Sequence, residues 1–212
     1  MAGCAAHGTE QGPGMTHRDD LNGWPLPPQV GRRTMLAGLG AGLLGGLAVP
    51  AQAARMLPLL PAVMQRLLPS EPAPTDAFAT ATGQRRTLAA YRSQGVVLNL
   101  WATWCLPCKA EMPALDHLAE TVAGDRIAVL PVSIDAGGLR AVKTFYANRH
   151  ITHLPILLDP AGLLVAELRA PGIPTTVIID RGGRMVGRVE GSVQWDAPPS
   201  IALLRRMAGP EA

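Results

Sequence analysis

The chain has 212 residues, 48% hydrophobic and 17% charged, which excludes a wholly disordered or collagen-like polymer. Its formal net charge is +3, and no run of Lys or Arg exceeds two residues, so neither a nucleic-acid surface nor a polybasic membrane patch is expected. Three cysteines are too few for a disulfide scaffold.

Residues 1–31 carry no apolar period and read as disordered, with Met15 as a second candidate start. Gly31-Arg32-Arg33-Thr34-Met35-Leu36 then leads into Met35–Val49, an uncharged stretch whose glycines keep it only moderately hydrophobic. Ala51-Gln52-Ala53 follows, a small-x-small pattern suited to signal peptidase. A basic start, a short apolar run and this site make residues 1–53 a disordered n-region plus signal peptide. The paired arginines favour the twin-arginine route. The expected location is periplasmic, with a membrane anchor as the alternative if the signal stays attached. Cleavage after Ala53 leaves Cys105 and Cys108 as the remaining cysteines.

Residues 54–74 contain Pro58, Pro61, Pro69, Pro72 and Pro74 and read as an extended linker, within which Met56–Leu68 is apolar enough to form a short helix or to lie on the domain. Residues 75–212 form one domain. Val96–Trp101 is a buried strand. Residues 105–123 have helical spacing, with Gly124 ending the run and Pro113 expected to kink it. Arg126–Ile134 is the next strand and Gly138–Arg149 the next helix. A short strand at Pro155–Leu158 and a short helix at Ala161–Leu168 follow. Thr176–Asp180 and Arg184–Glu190 form a hairpin about Arg181-Gly182-Gly183. Asp196–Met207 closes as a helix with Asp196 as N-cap. Parallel strands need crossover helices, and the hairpin supplies an antiparallel edge. The expected fold is an α/β sandwich, a mixed central sheet flanked by helices.

Trp104-Cys105-Leu106-Pro107-Cys108 sits where the buried strand gives way to the helix. Free N–H groups and the positive end of the helix dipole favour a thiolate at Cys105. Cys108 lies one turn on, on the same face, close enough for the sulfurs to bond. This supplies an attacking thiolate and a resolving thiol, the requirement of disulfide exchange. Zinc needs four ligands, and no second cysteine pair exists.

The segment Trp101-Ala102-Thr103-Trp104-Cys105-Leu106-Pro107-Cys108-Lys109-Ala110-Glu111-Met112-Pro113 resembles the active site of TlpA-like thioredoxin-fold proteins. These are exported bacterial thiol-disulfide oxidoreductases related to the cytochrome c maturation reductases. Gly172-Ile173-Pro174-Thr175-Thr176 resembles that family's Pro-Thr-Thr strand entry. The resemblance runs from Thr75 to Met207.

It implies a thioredoxin-like sandwich in which Pro174 is cis and faces a redox-active Cys105–Cys108 disulfide, with no other cofactor and no metal. It places the backbone of Ile173 and Thr175 beside the sulfurs for a client strand, and Trp104 as a shield to one side of them. It gives Glu111 the task of moving protons to and from the buried cysteine; the alternative is a solvated first-turn carboxylate. Asn99 stands where ordinary thioredoxins carry a buried Asp, and an Asn cannot take a proton. Trp101 is expected in the core and Lys109 in solvent.

The function that follows is reduction of disulfides in exported client proteins. The implied partners are a disulfide-containing client and a membrane-associated thiol donor, with no nucleic acid, and the chain is expected to be monomeric. Two alternatives use the same thiols: a copper chaperone and a thiol peroxidase. Copper chaperones of this fold use Cys-x-x-x-Cys with a downstream His, whereas the spacing here is Cys-x-x-Cys. His150 and His153 are expected as solvent-exposed or helix-end side chains, and His117 as a helix-face histidine without a partner.

Overall fold

A computed structural model describes residues 57–208. The twin-arginine motif, the apolar stretch after it, the Ala51-Gln52-Ala53 site and Cys4 lie outside the described residues. In chain order the elements are α1 (Leu60–Val63), β1 (Gln65–Pro72), β2 (Phe78–Thr80), β3 (Arg85–Arg86), β4 (Gly95–Trp101), α2 (Leu106–Thr121), β5 (Ile127–Ser133), α3 (Gly138–Arg149), β6 (Leu157–Leu158), α4 (Leu163–Glu167), β7 (Thr175–Ile179), β8 (Arg184–Glu190) and α5 (Pro198–Ala208).

The strands form one mixed sheet in the order β1-β8-β7-β4-β5-β6-β2-β3. β4 is buried at every position and lies at the centre, parallel to β5 and antiparallel to β7. Successive side chains of a strand face opposite sides. Val97 and Trp101 therefore join one core with Cys108, Met112, Leu115, Phe145 and Leu204, which α2, α3 and α5 supply. Leu98 and Leu100 join the other with Phe78, Leu130, Val177 and Leu164. Trp101 stacks on Tyr146 with ring centroids 6.0 Å apart. Asn99 shares the alternation of Val97 and Trp101, so it points toward α2. α2 continues through Pro113 to Thr121.

Residues 57–74 are not a free linker: as the apolar character of Met56–Leu68 allows, a short helix, α1, forms and packs on the domain, and β1 after it is paired. Leu60 is fully buried and its amide donates to Ser200 Oγ at 3.1 Å. β1 pairs antiparallel with β8, with an irregularity between Arg66 and Glu71 around the cis Leu68–Pro69 peptide. Prolines are tolerated there because β1 is an edge strand and one row of its N–H groups has no ladder to join. The β7–β8 hairpin is consequently interior, and β1 takes the edge expected of β8.

Two polar details at α2 also depart from expectation. His117 has a partner, with Nδ1 3.5 Å from Asp196 Oδ2. Asp196 does not cap α5, because the amides of Ser200 and Ile201 reach back to the carbonyl of Ala197. Asp116 ties α2 to the loop before β6. Its carboxylate accepts from the amides of His153 at 2.7 Å, Leu154 at 3.0 Å and Thr152 at 3.1 Å. Burial alone would raise the pKa of this group; the amide donors outweigh it and hold it below the ordinary carboxylate range. Asp116→Ala strands these donors and is expected to cost roughly 2–4 kcal/mol in urea unfolding near neutral pH. The depressed pKa gives this contribution its sign: it is present above the ordinary Asp range and is lost as the pH falls through the folded value.

Candidate active site

Cys105 and Cys108 are joined, with S–S 2.05 Å and Cα–Cα 5.3 Å. Cys105 is the N-cap of α2, and its Sγ accepts from the Cys108 amide at 3.2 Å. The two sulfurs differ in access: Cys105 retains a little exposure and Cys108 none. Cys105 is thus the outer sulfur and the one a second disulfide can reach. Its Sγ lies 3.7 Å from the carbonyl oxygen of Ile173, and the Ile173–Pro174 peptide is cis. Thr175 Oγ1 donates to the Gly172 carbonyl at 2.7 Å and closes that loop just before β7.

The segment leading to Cys105 is held from β5. Asp135 accepts from the amide of Thr103 at 2.8 Å, from Thr103 Oγ1 at 2.7 Å and from Ser133 Oγ at 2.7 Å. These bonds fix the turn between β4 and α2 without using a group that exchange needs. Trp104 is 65% exposed and Leu106 74% exposed. Trp104 and Leu106, the sequence neighbours of Cys105, are thus exposed apolar side chains.

Glu111 is fully buried, one turn beyond Cys108 on the same side of α2. A solvated first-turn carboxylate is therefore not what the structure contains. Oε1 accepts from Asn99 Nδ2 at 2.9 Å. Oε2 accepts from Trp195 Nε1 at 2.9 Å and from the Val193 amide at 3.2 Å. Burial raises the carboxyl from 4.5 to about 7, against the opposing pull of the Trp195, Asn99 and Val193 donors. A group at that value carries its proton about half the time near neutral pH, which suits it to both giving and taking one.

Trp195, Val193 and Asp135 were not legible as site residues from spacing. Trp195 reaches Glu111 from the loop between β8 and α5, 84 positions away. The available signal was a tryptophan in an otherwise polar stretch, Gly191–Asp196. Asn99 was legible as a replacement for an acid but not as a donor. Nδ2 also donates to Thr176 Oγ1 at 2.9 Å, so the amide links β4, α2 and β7. Its buried Oδ1 has no partner. Elsewhere, His150 ends α3 in a left-handed conformation, and His153 Nδ1 faces Asp116 Oδ2 at 3.2 Å. Lys109, expected in solvent, is half-buried. Among the described residues, no helix is long and apolar enough to cross a membrane.

Comparison with known proteins places this site in a family. The AhpC/TSA family matches residues 69–187. The thioredoxin-like protein YneN of Bacillus subtilis is 35% identical over 113 residues, 52% of this chain and 65% of YneN, just under two thirds of its length. The thiol-disulfide oxidoreductase ResA of Geobacillus thermodenitrificans is 30% identical over 121 residues, 57% of this chain and 68% of ResA. Among solved structures, the exposed lipoprotein thioredoxin Etrx1 of Streptococcus pneumoniae superposes with TM-score 0.54 at 28% identity, over 62% of this chain and 98% of Etrx1. A cysteine pair at a helix start, the Ile173 carbonyl beside its outer sulfur and these relatives agree: the chain belongs to the AhpC/TSA family and is a thiol-disulfide oxidoreductase of thioredoxin fold.

Proposed function

We propose that this protein is exported and reduces disulfides of client proteins outside the cytoplasm, with Cys105 as the attacking sulfur. The observation that carries this is the asymmetry of the pair: an outer Cys105 against the Ile173 carbonyl, and a buried Cys108 one turn from a buried carboxyl with pKa about 7.

In the reduced protein the Cys105 thiolate attacks one sulfur of the client disulfide. A mixed disulfide forms and the client's other sulfur leaves as a thiolate. The carbonyl of Ile173, held beside Cys105 by the turn into Pro174, accepts from a backbone N–H of a client strand. Cys108 then gives its proton to the Glu111 carboxylate and attacks Cys105 Sγ. The second client thiolate leaves, and the protonated Glu111 returns a proton to the sulfur released. The client gains two electrons, one proton from Cys108 by way of Glu111 and, on the thiolate that left first, one from solvent, and the Cys105–Cys108 bond holds the oxidised state. A membrane-associated thiol donor resets it by the reverse exchange.

Export is supported by the Arg32-Arg33 motif and the Ala51-Gln52-Ala53 site, and by the likeness to an exposed lipoprotein thioredoxin. The test of activity is turnover of insulin disulfides with dithiothreitol as the donor. The protein is expected to accelerate precipitation well beyond dithiothreitol alone; equal rates with and without it would overturn the proposal. For export, the Arg32→Lys/Arg33→Lys variant is expected to keep the chain in the cytoplasm of an expressing cell. Undiminished export of that variant would exclude the twin-arginine route.

A further inference from the structure

A groove of about 490 Å³ lies between the start of α2 and α3, and its lining includes Thr103 and Lys109, close in sequence to Cys105 and Cys108. Thr103 and Lys109, from the turn before α2 and from its first turns, form one wall. α3 forms the other, with the exposed Arg140, Thr144 and Arg149 and the buried Phe145. Three cations line it and no carboxylate does. Among the described residues, none of the three takes part in an ion pair, whereas Arg188 and Arg205 on other surfaces pair with Glu190 and Asp125. The carboxylate that reaches this loop, Asp135, is buried, with Thr103 and Ser133 already donating to it. The Arg149 guanidinium lies 5.9 Å from the Phe145 ring centroid.

Unneutralised cations in a concave surface raise the local concentration of anionic groups and speed encounter more than they tighten the final complex. Lys109 follows Cys108 directly and Thr103 precedes Cys105 by two residues, so a chain engaged at Cys105 has its flanking residues within reach of this groove. We infer that the groove docks an acidic segment of the client protein, Asp- or Glu-bearing residues that flank its disulfide. The inference rests on the proposed exchange reaction and adds a preference among its substrates.

The test compares disulfide-containing peptides that differ only in flanking residues, Asp/Glu in one and Ser/Gln in the other. Stopped-flow oxidation of the full-length reduced protein is expected to be about tenfold faster with the acidic peptide at ~20 mM salt, with the rates converging near ~0.5 M salt. The Arg140→Gln/Arg149→Gln variant is expected to lose that advantage and to keep the parent rate with the neutral peptide. In parallel, a labelled acidic peptide without cysteines is titrated against both proteins by fluorescence anisotropy. Binding to the parent that weakens in the variant supports the groove. Equal binding to both, no binding to either, or an acidic preference that persists in the variant overturns it. If neither peptide is reduced, the exchange reading fails, while the anisotropy result still decides the groove.

Discussion

Glu111→Gln makes the oxidised protein more stable at pH 8, by as much as about 3 kcal/mol, and this gain disappears at pH 4.5 and below. The sign follows from the carboxyl, which burial raises from 4.5 to about 7 in the folded state. Between those values the folded protein holds a proton that the unfolded chain has released, so stability falls as the pH rises. The favourable contribution is complete below 4.5 and lost above about 7, where the folded protein carries a buried, ionised Glu111. The substituted glutamine never ionises and escapes this penalty. It also finds partners. Its oxygen accepts from Trp195 Nε1 and the Val193 amide, and its NH₂ faces Asn99. Asn99 meets it by turning its amide so that Oδ1, unpartnered in the parent, accepts. Urea unfolding of both proteins from pH 4 to pH 8 measures the difference; the contribution of Asp116 is common to both and cancels. Parallel pH profiles would show that Glu111 does not titrate in this range. In exchange assays the same variant is expected to slow the second step and flatten its pH dependence near neutrality, because Cys108 loses its proton acceptor.

Cys105→Ser abolishes exchange, a loss on the order of 10³-fold or more, since the nucleophile that forms the mixed disulfide is gone. Cys108→Ser behaves differently. Cys105 still attacks, but nothing resolves the product, so a covalent protein–client adduct accumulates. The adduct is visible as a slower band on non-reducing gels and collapses on addition of dithiothreitol. The distinction follows from burial, because Cys105 is the sulfur with surface exposure. Adducts that form with Cys105→Ser and not with Cys108→Ser would reverse the assignment of attacking and resolving sulfurs.

The parts of this structure that local sequence could carry are the parts it did carry. β4 and β5 are apolar runs with few alternatives, and the cysteine motif falls at their natural junction with α2. Gly138–Arg149 is helical over the residues its apolar spacing marks, and Arg184–Glu190 is extended over those its turn signal implies. Four features were hidden because each depends on a contact far along the chain. The prolines of residues 57–74 signal extended chain, and Met56–Leu68 a segment able to lie on the domain, but not that β8 would leave an edge for β1. Asp196 has the chemistry of a cap, yet His117 competes for it and the first turn of α5 closes on Ala197. Trp104 is large and apolar, but it precedes the N-cap of a helix whose inner face is already filled by Met112 and Leu115, and it stays exposed. Trp195 meets Glu111 only after β7 and β8 have folded back along β4. The carboxyl next to the cysteine pair was therefore legible, whereas the donors that hold it were not.

The reduction potential of the Cys105–Cys108 pair tests the direction of electron flow most directly. It is measured by equilibration with glutathione or dithiothreitol buffers, followed by thiol trapping. A reductant fed by a membrane donor is expected to lie near or below about −250 mV. A value near about −150 mV or higher would make the protein an oxidant or isomerase and would contradict the proposed reduction of client disulfides.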